Sequence, residues 1–437
     1  MKRIFSVAVL LLALAIVPQQ TKACTTAVIS GKYTKDGRPM LWKNRDTWAV
    51  NNKLMYFDDA KYPYLGLVNS RDKAGKSIWI GMNGTGFAIM NSASYNLNLH
   101  SDAKLSGYEG RIMKDALATC RTIEDFEAFL DGLEKPTGLE ANFGVIDANG
   151  GAAFYEIGND GYVKFDANDP TVAPFGYLIR VNYSFTGDLG KESSGYIRYH
   201  AVDDVFYQKQ STVGLTPKDI EQEVAKGLYN SLTKRDLYKI YGTLPENTPQ
   251  YEILQDYIPR TGSASSVVVE GVKKGENPNM ATMWSNVGFP LASVMVPTWV
   301  SGSVDLPYVV KYNESIKDSP VCYAALKLKK ERVLNKRWGK FASRYFNVNA
   351  IVNANGTGIT QIINKKEDEI YAKAYDLQEK WRENGEASSK DMKKFYKWID
   401  EMVISTYKEN FDIDITKEGL HKQELIISEK KSMKGIN

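Results

Sequence analysis

The first 24 residues constrain the fold of this chain more than any other stretch. Two basic residues at 2–3 precede an apolar run over 4–17, and small residues occupy positions 21 and 23. Such a segment is typical of a secretory signal that is removed after Ala23. Cys24 would then begin the mature chain, with a thiol and a free α-amino group on one residue. The sequence therefore predicts an exported protein, either periplasmic or secreted.

Two other interpretations of Cys24 stay open at this point. A lipid-attachment cysteine usually follows an apolar residue three positions earlier and small residues next to it, whereas this chain has Thr21, Lys22 and Ala23. Lys22 fits that pattern poorly. Alternatively, Cys24 has no role beyond following the leader. As a nucleophile, by contrast, Cys24 would be activated by its own amine, because an α-amine (pKa ~7.7–8.0) and a thiol (pKa ~8.5) titrate close together.

The residues after Cys24 predict an antiparallel hairpin. Residues 25–30 have the β-branched content of a strand, 35–37 (Lys-Asp-Gly) form a turn signal, and 38–43 can return as a second strand. The midpoint between Cys24 and Asp46 is residue 35, inside the turn. We therefore expect Asp46 to lie beside Cys24, to within a residue or two.

Charged residues at the end of this hairpin suit an N-terminal nucleophile. A carboxylate at Asp46 would hold the α-amine, and a cation at Lys43 or Arg45 would favour the thiolate. The alternative for Asp46 is a solvated charge at the end of a strand.

The remainder of the chain predicts an α+β fold, because strands occur as hairpins with helices between the clusters rather than as alternating βαβ units. The pairs 77–81/86–90 and 142–146/152–156 are predicted hairpins, residues 109–133 are predicted to be helical with a second helix beginning at Thr122, and residues 216–240 are predicted to be helical. Further strands are predicted in the following segments: 176–183, 265–270, 280–285 and 293–297. Two stacked sheets covered by helices would accommodate this pattern.

Composition changes near residue 365, where glycine nearly vanishes and the apolar period becomes helical. We predict a domain over 24–364 and a helical extension over 365–437, with a cap at Ser388 before the second helix. The two helices would pack on the domain or on a partner subunit, so a homo-oligomer is one option.

Charge and residue usage exclude several functions. Three of the 56 basic residues lie in the leader, which leaves 53 against 52 acidic residues, and this balance predicts no nucleic-acid function. After residue 23 no apolar run reaches the about 18 residues that a membrane span needs. The three histidines show no metal-ligand spacing, so neither a metal nor another cofactor is predicted. Cys120 and Cys322 are either a disulfide pair or two buried thiols.

Four segments together resemble the choloylglycine hydrolase and penicillin V acylase group of N-terminal nucleophile (Ntn) hydrolases, nearest to the branch of linear-amide C–N hydrolases and acyl-coenzyme A:6-aminopenicillanate acyltransferase-like proteins. The resemblance covers roughly residues 24–310 and implies a four-layer αββα sandwich of two antiparallel sheets. The segments that carry it are as follows: Cys24-Thr-Thr, Lys43-Asn-Arg-Asp46, the stretch from Asn83-Gly-Thr-Gly to Met90-Asn91, and Val181-Asn-Tyr-Ser-Phe185.

The resemblance also implies roles for individual residues. Cys24 would be the nucleophile and, through its amine, the base, and Asp46 would bind that amine. The family has an arginine where this chain has Lys43, which supplies charge without the planar fork, and Arg45 is a candidate to share the role.

For the oxyanion and the late active-site arginine, the resemblance implies four further candidates. Asn91 and Asn182 match the asparagines near the oxyanion, with Asn83 as the fallback for Asn91. Arg260 matches the late arginine.

The function implied is hydrolysis of a linear, non-peptide amide of a small N-acyl substrate through a Cys24 thioester. Bile-acid conjugates, N-acyl amino acids and penicillin-type side chains are the candidate substrates, and an amine acceptor in place of water would make the chain an acyltransferase. The aromatic residues Trp284, Phe289 and Trp299 are candidates for an acyl pocket or for core packing. The alternatives are a cysteine dipeptidase of the same superfamily, whose chains also begin Cys-Thr-Thr, and a surface lipoprotein that uses the fold as a binding module.

Overall fold

A computed structural model describes residues 24–98, 107–188, 195–209, 214–300, 305–335 and 345–424. The predicted leader, residues 1–23, lies outside the described residues. Cys24 is the first residue that the structure describes.

Two antiparallel sheets form the centre of the molecule. The first sheet has six strands in the order β10-β1-β2-β14-β15-β16. Its strands are β1 (Thr25–Ile29), β2 (Met40–Asp46), β10 (Tyr177–Arg180), β14 (Ser263–Glu270), β15 (Thr282–Val287) and β16 (Met295–Trp299). The second sheet is a seven-stranded meander in chain order. Its strands are β3 (Asn52–Phe57), β4 (Tyr64–Asn69), β5 (Ile80–Asn83), β6 (Ala88–Ala93), β7 (Ala141–Ile146), β8 (Ala152–Gly158) and β9 (Gly161–Asp166).

Short strand pairs and eight α-helices complete the described part of the chain. The pairs are β11 (Tyr229–Asn230) with β12 (Arg235–Asp236), and β13 (Tyr251–Ile253) with β17 (Tyr345–Asn347). The helices are α1 (Glu109–Thr119), α2 (Ile123–Asp131), α3 (Tyr196–Lys209), α4 (Pro217–Asp219), α5 (Leu237–Tyr241), α6 (Pro320–Leu328), α7 (Ile359–Asn384) and α8 (Ser389–Phe411). Two π-helical segments, Ile220–Ala225 and Lys329–Val333, continue α4 and α6.

The layers follow from which faces are apolar. Strands β1 and β2 contact β6 and β7, so the two sheets pack face to face. Helices α1 and α2 cover the outer face of the second sheet, where Met113, Leu117 and Phe126 are buried against Phe143 and Tyr155. Helices α3, α6 and α7 contact β10, β15 and β16 of the first sheet. The predicted α+β class, the four-layer αββα arrangement and the C-terminal helical extension are confirmed.

The C-terminal helices belong to the core that covers the first sheet. Helix α7 begins at Ile359, six residues before the predicted start of the extension, and buries Trp381 against Trp299. The Glu367 carboxylate, on the same helix, accepts hydrogen bonds from Lys226 Nζ (2.5 Å) and from the backbone N–H of Met295 (2.9 Å). The predicted cap of α8 is present, because Ser388 Oγ accepts from the Asp391 N–H. In this structure the extension packs on the domain.

The helix predicted over residues 216–240 is wrong in its second half. Helical structure stops at Ala225 and resumes only with α5 at Leu237, and Asn230 Oδ1 accepts from the backbone N–H groups of Leu232 and Thr233 in a turn between β11 and β12. An asparagine that satisfies the backbone in this way competes with helix continuation.

The aromatic residues that were candidates for an acyl pocket lie in the core beneath the C-terminal helices. Trp284 contacts Tyr371 of α7, and its indole N–H donates to Glu270. Phe289 packs against Phe346. Core packing is therefore the interpretation that the structure supports.

Cys120 and Cys322 are both free and buried, so of the two alternatives the structure has two buried thiols. Along the described ranges, no helix is long and apolar enough to cross a membrane. The same residues contain no group of three or more His, Cys, Asp or Glu side chains that could hold a metal ion.

Candidate active site

The β1–β2 hairpin brings Cys24 close to the predicted carboxylate, with a small shift of register. Thr25 pairs with Asn44 and Ile29 with Met40, so Cys24 lies opposite Arg45, one residue from Asp46. The predicted neighbourhood is therefore correct to one residue. The shift arises because the hairpin is centred between residues 34 and 35 rather than on residue 35.

Strand alternation places the Cys24 side chain between the sheets. Cys24 shares its side of the hairpin with Thr26 and Val28, and Val28 contacts the second sheet at Gly144. Lys43 and Arg45 face the same side from the neighbouring strand. The thiol therefore lies on a buried surface that also carries two cations.

These two cations are held by the second sheet. Lys43 Nζ donates to Asn91 Oδ1 (2.7 Å) and to the Trp79 carbonyl (2.8 Å). Arg45 Nη1 donates to Asn52 Oδ1 (2.5 Å), and its guanidinium stacks over the Trp79 ring at 4.5 Å from the centroid. Both side chains are thus fixed by hydrogen bonds and by contact with the Trp79 indole.

Burial makes the Lys43 ammonium and the Arg45 guanidinium easier to deprotonate. The pKa of Lys43 is lowered to about 8, mainly by burial. Repulsion from Arg45 acts in the same direction, and the charge of Cys24 opposes the shift. Burial also lowers the pKa of Arg45 to about 10, against the charges of Cys24 and Asp46. The electrostatic interaction of each cation with Cys24 indicates that both lie near the thiol.

Asn91, on β6, lies across the sheet interface from Cys24. Because a lysine ammonium only donates, Lys43 requires Asn91 to present its oxygen and directs the amide nitrogen the other way. Within the described part of the chain Asn91 Nδ2 forms no hydrogen bond. Asn91 therefore offers an oriented N–H₂ donor next to the Lys43 ammonium, on the side of the hairpin that Cys24 shares.

Asn83, the fallback for Asn91, is used by the fold instead. Its Nδ2 donates to the carbonyls of Leu117 and Cys120, and its Oδ1 accepts from the N–H groups of Thr85 and Phe87. Four residues separate Phe87 from Asn91, about 13 Å along a strand. Asn83 closes the β5–β6 turn at the far end from Cys24, and we assign it no role in the site.

Arg198 is a residue of the site that sequence reasoning missed. It lies on α3, where Nη1 donates to the Cys24 carbonyl (2.9 Å) and to Thr25 Oγ1 (2.5 Å), and Nη2 donates to Asn182 Oδ1 (3.1 Å). Asn182 Nδ2 donates in turn to the Ala93 carbonyl (3.0 Å). The predicted Asn182 is therefore connected to Cys24 through a guanidinium.

Asp46 and Arg260 form the other half of the site. The Asp46 Oδ2 atom accepts from Arg260 Nε (2.9 Å) and Nη2 (2.6 Å), and its Oδ1 accepts from Ser263 Oγ (2.6 Å) and Asn44 Nδ2 (3.3 Å). Both side chains are predominantly buried. Arg260 and Ser263 thus hold the carboxylate in one orientation at the end of β2.

The sequence offers little that would have found the missed residues. Helix α3 shows almost no amphipathic pattern, so apolar periodicity does not locate it, and nothing local distinguishes Arg198 from other arginines. Tyr95 lies near the site as well, since burial raises its pKa to about 12 and the charge of Cys24 adds to that shift.

The arrangement has the parts that acyl transfer requires. A buried thiol lies on the same face as two cations, amide side chains come from β6 and from the segment after β10, and a fixed carboxylate lies one residue from the position paired with Cys24. Such a site can form a thiolate and can stabilise an oxyanion.

Comparison with solved structures finds proteins of the kind that the sequence motifs resemble. A conjugated bile acid hydrolase from Clostridium perfringens is 11% identical, with 64% of this chain and 92% of that chain covered and a TM-score of 0.36. A penicillin V acylase from Agrobacterium tumefaciens is 11% identical over 64% of this chain and 87% of that chain (TM-score 0.34). An N-acylethanolamine-hydrolyzing acid amidase orthologue from Caenorhabditis elegans is 13% identical over 56% of this chain and 92% of that chain (TM-score 0.34).

Neither the protein-family models nor the curated proteins give a match to this chain. The chemistry proposed below therefore rests on the side chains around Cys24.

Proposed function

We propose that this chain is exported, cleaved after Ala23, and hydrolyses a linear non-peptide amide through a thioester on Cys24. The observation that carries the proposal is the position of the Cys24 thiol, which shares a buried face with Lys43 and Arg45 and lies across from the Asn91 amide. A cysteine with only a packing role would not require two buried cations on its own face, because each loses hydration there.

Activation begins at the amine that cleavage would release. With pKa values of ~7.7–8.0 for an α-amine and ~8.5 for a thiol, the amine can take the thiol proton at neutral pH. Asp46, held by Arg260 and Ser263, is the carboxylate nearest in register to that amine and would bind it as an ammonium. Lys43 and Arg45 would stabilise the thiolate that remains.

Bond formation and cleavage then follow the usual course of acyl transfer. The Cys24 thiolate attacks the amide carbonyl, and the oxyanion is stabilised by N–H groups of Asn91 and Asn182, each such donor contributing about 3 kcal/mol. The ammonium of Cys24 gives its proton to the leaving amine as the C–N bond breaks. Water then hydrolyses the thioester and releases the acid.

The substrate is proposed to be a small N-acyl amide. Bile-acid conjugates, N-acyl amino acids and penicillin-type amides form the panel, each tested with water and with an added amine as acceptor. Transfer of the acyl group to the added amine would identify an acyltransferase of the same mechanism. Hydrolysis of dipeptides, with no activity on the other amides, would favour the dipeptidase alternative.

The first test is the intact mass and N-terminal sequence of the exported protein. We expect a chain that begins at Cys24 with an unmodified amine. A lipid on that amine would remove the proposed base and would support the lipoprotein alternative.

The second test is the substitution of Cys24 itself. Cys24→Ala should reduce amide hydrolysis to background and leave the unfolding midpoint nearly unchanged, because a small side chain at a chain end contributes little packing. Cys120→Ala, which removes a buried thiol from the core under α1 and α2, is the matched control and should keep its activity. Retained hydrolysis in the Cys24 variant would end the proposal.

A further inference from the structure

The Arg198 guanidinium joins the start of β1 to the segment after β10. Arg198 is buried, and it donates to the Cys24 carbonyl, to Thr25 Oγ1 and to Asn182 Oδ1. The three acceptors belong to the start of β1 and to the segment after β10, and Arg198 belongs to α3.

We propose that Arg198 is a positioning residue for amide hydrolysis, which fixes the Cys24 backbone and the Asn182 amide in one mutual arrangement. The inference rests on the proposed function. It assigns to α3 the task of keeping the nucleophile and an oxyanion donor at a constant separation.

The Cys24 carbonyl is the informative contact. After cleavage Cys24 would be a chain end, tethered by one peptide bond, and chain ends fray unless they are tied down. A hydrogen bond to its carbonyl restricts rotation about the Cα–C bond, and so restricts the directions of both the amine and the thiol. The accepting carbonyl belongs to the peptide bond between Cys24 and Thr25, so cleavage before Cys24 leaves this contact in place.

The Asn182 contact fixes a second direction. A guanidinium has only donors, so Asn182 must turn its oxygen toward Arg198. The bond from Nδ2 to the Ala93 carbonyl then determines the plane of the amide. Lys43 orients Asn91 in the same way, and each of the two proposed oxyanion donors thus has its oxygen held by a buried cation.

The backbone near Arg198 is shaped to admit the guanidinium. Gly195 has φ of +99°, and a Cβ there would lie 2.3 Å from Arg198 Nη2 and 2.9 Å from the Val181 Cβ. The pKa of Arg198 is lowered to about 9, mainly by burial, and repulsion from Arg260 acts in the same direction. The fold thus keeps a guanidinium in this position despite its electrostatic cost, which favours a specific role over a chance contact.

Kinetics of Arg198→Lys test the inference. Lysine keeps the charge and loses the planar fork, so we expect kcat to fall by about 100-fold, as for a misplaced reacting group, with KM within about threefold of the unmodified protein. Arg111→Met, at an arginine whose side chain is 73% exposed on α1, is the control and should retain full activity. A kcat within about threefold of the unmodified enzyme in Arg198→Lys would overturn the inference.

Rescue of Arg198→Ala separates positioning from a general loss of structure. Added methylguanidinium should raise its kcat at least about tenfold and leave the unmodified enzyme unchanged, because the small cation can occupy the vacated space. A folded variant that does not respond would count against the inference. Should Arg198→Ala fail to fold, Gly195→Ala provides the second route, since its Cβ displaces the guanidinium and leaves the charge in place; unchanged kcat there would overturn the inference.

The Cys24→Ala variant distinguishes a failure of the proposed function from a failure of the positioning role. Hydrolysis that survives Cys24→Ala contradicts the proposed function itself. Loss of hydrolysis in Cys24→Ala, combined with normal kcat in the Arg198 variants, contradicts the positioning role alone.

Discussion

At the scale of single residues, the chain replaces the arginine implied by family resemblance with Lys43, and the structure gives that lysine a definite task. Its ammonium orients Asn91 and lies on the thiol side of the hairpin. A lysine can lose its proton where an arginine cannot. The charge facing Cys24 is therefore sensitive to pH.

We predict that Lys43→Arg changes the alkaline side of the pH profile. The pKa of Lys43 is lowered to about 8 by burial, so its positive charge is present below pH 8 and is lost above it. Arginine stays charged, so the ratio of kcat/KM for Lys43→Arg to that of the unmodified enzyme should rise about fivefold or more between pH 7 and pH 9. The ratio cancels the titration of groups that do not interact with residue 43. A flat ratio would mean that Lys43 does not act as a titrating cation.

Residue-level predictions from the sequence succeeded where the contact was local. Cys24 and Asp46 are 22 positions apart across one hairpin, and spacing alone placed them correctly to one residue. Arg198 and Cys24 are separated by 174 positions, and only the packing of α3 on the sheet brings them together. The structure does not support the fallback role for Asn83, because hydrogen bonds within the local β5–β6 turn occupy its side chain.

At the scale of elements, strong local signals gave the correct structure and weak ones did not. The hairpins β5–β6 and β7–β8 follow from turn residues, and α8 begins at the predicted cap. Strands β3 and β4 were missed because their residues show no simple alternation: both faces are largely buried between other layers. Helix α6 was likewise missed.

The attachment of α7 to the first sheet can be measured with Trp381→Ala. Trp381 is fully buried and contacts the Trp299 ring with centroids 5.1 Å apart, so its removal leaves a large cavity. We expect a loss of about 3–5 kcal/mol in the free energy of unfolding, measured by urea titration. Trp48→Ala, at a tryptophan that is 66% exposed, is the matched control and should lose less than about 1 kcal/mol. Equal losses in the two variants would contradict the packing described for α7.

At the scale of the whole molecule, stability depends on a carboxyl group that has no part in the proposed reaction. Glu221 lies in the π-helical segment after α4, buried beneath α7, and neither of its carboxyl oxygens has a hydrogen-bond partner in the described ranges. Burial raises its pKa to about 8, and the nearby Glu367 contributes in the same direction while Lys226 opposes it. The folded protein therefore favours the neutral form of this group.

We predict that Glu221→Met stabilises the protein at alkaline pH and has little effect in acid. An unfolded glutamate ionises near pH 4.5, whereas the folded group ionises near 8, so its contribution to stability is greatest below pH 4.5 and is lost as the pH rises to 8. At pH 8 the variant should be more stable by about 4 kcal/mol, a gain that vanishes near pH 4.5. Urea midpoints at both pH values measure it. Glu379→Met, at an exposed position of α7, should show no such difference, and a variant without pH dependence of its gain would refute the assignment.

The place of β1 in the first sheet has a consequence for the proposed removal of the leader. Strand β1 is hydrogen-bonded on both sides, to β2 and to β10, and its five residues are completely buried. A peptidase binds the residues around its scissile bond as an extended segment, and in the folded chain the residues after Ala23 are already committed to the sheet. Under the proposed processing, removal of the leader must therefore precede closure of the sheet, so that secretion, cutting and folding form a one-way sequence. A chain that folded before cleavage would bury Cys24 while its nitrogen was still part of a peptide bond and could not act as a base.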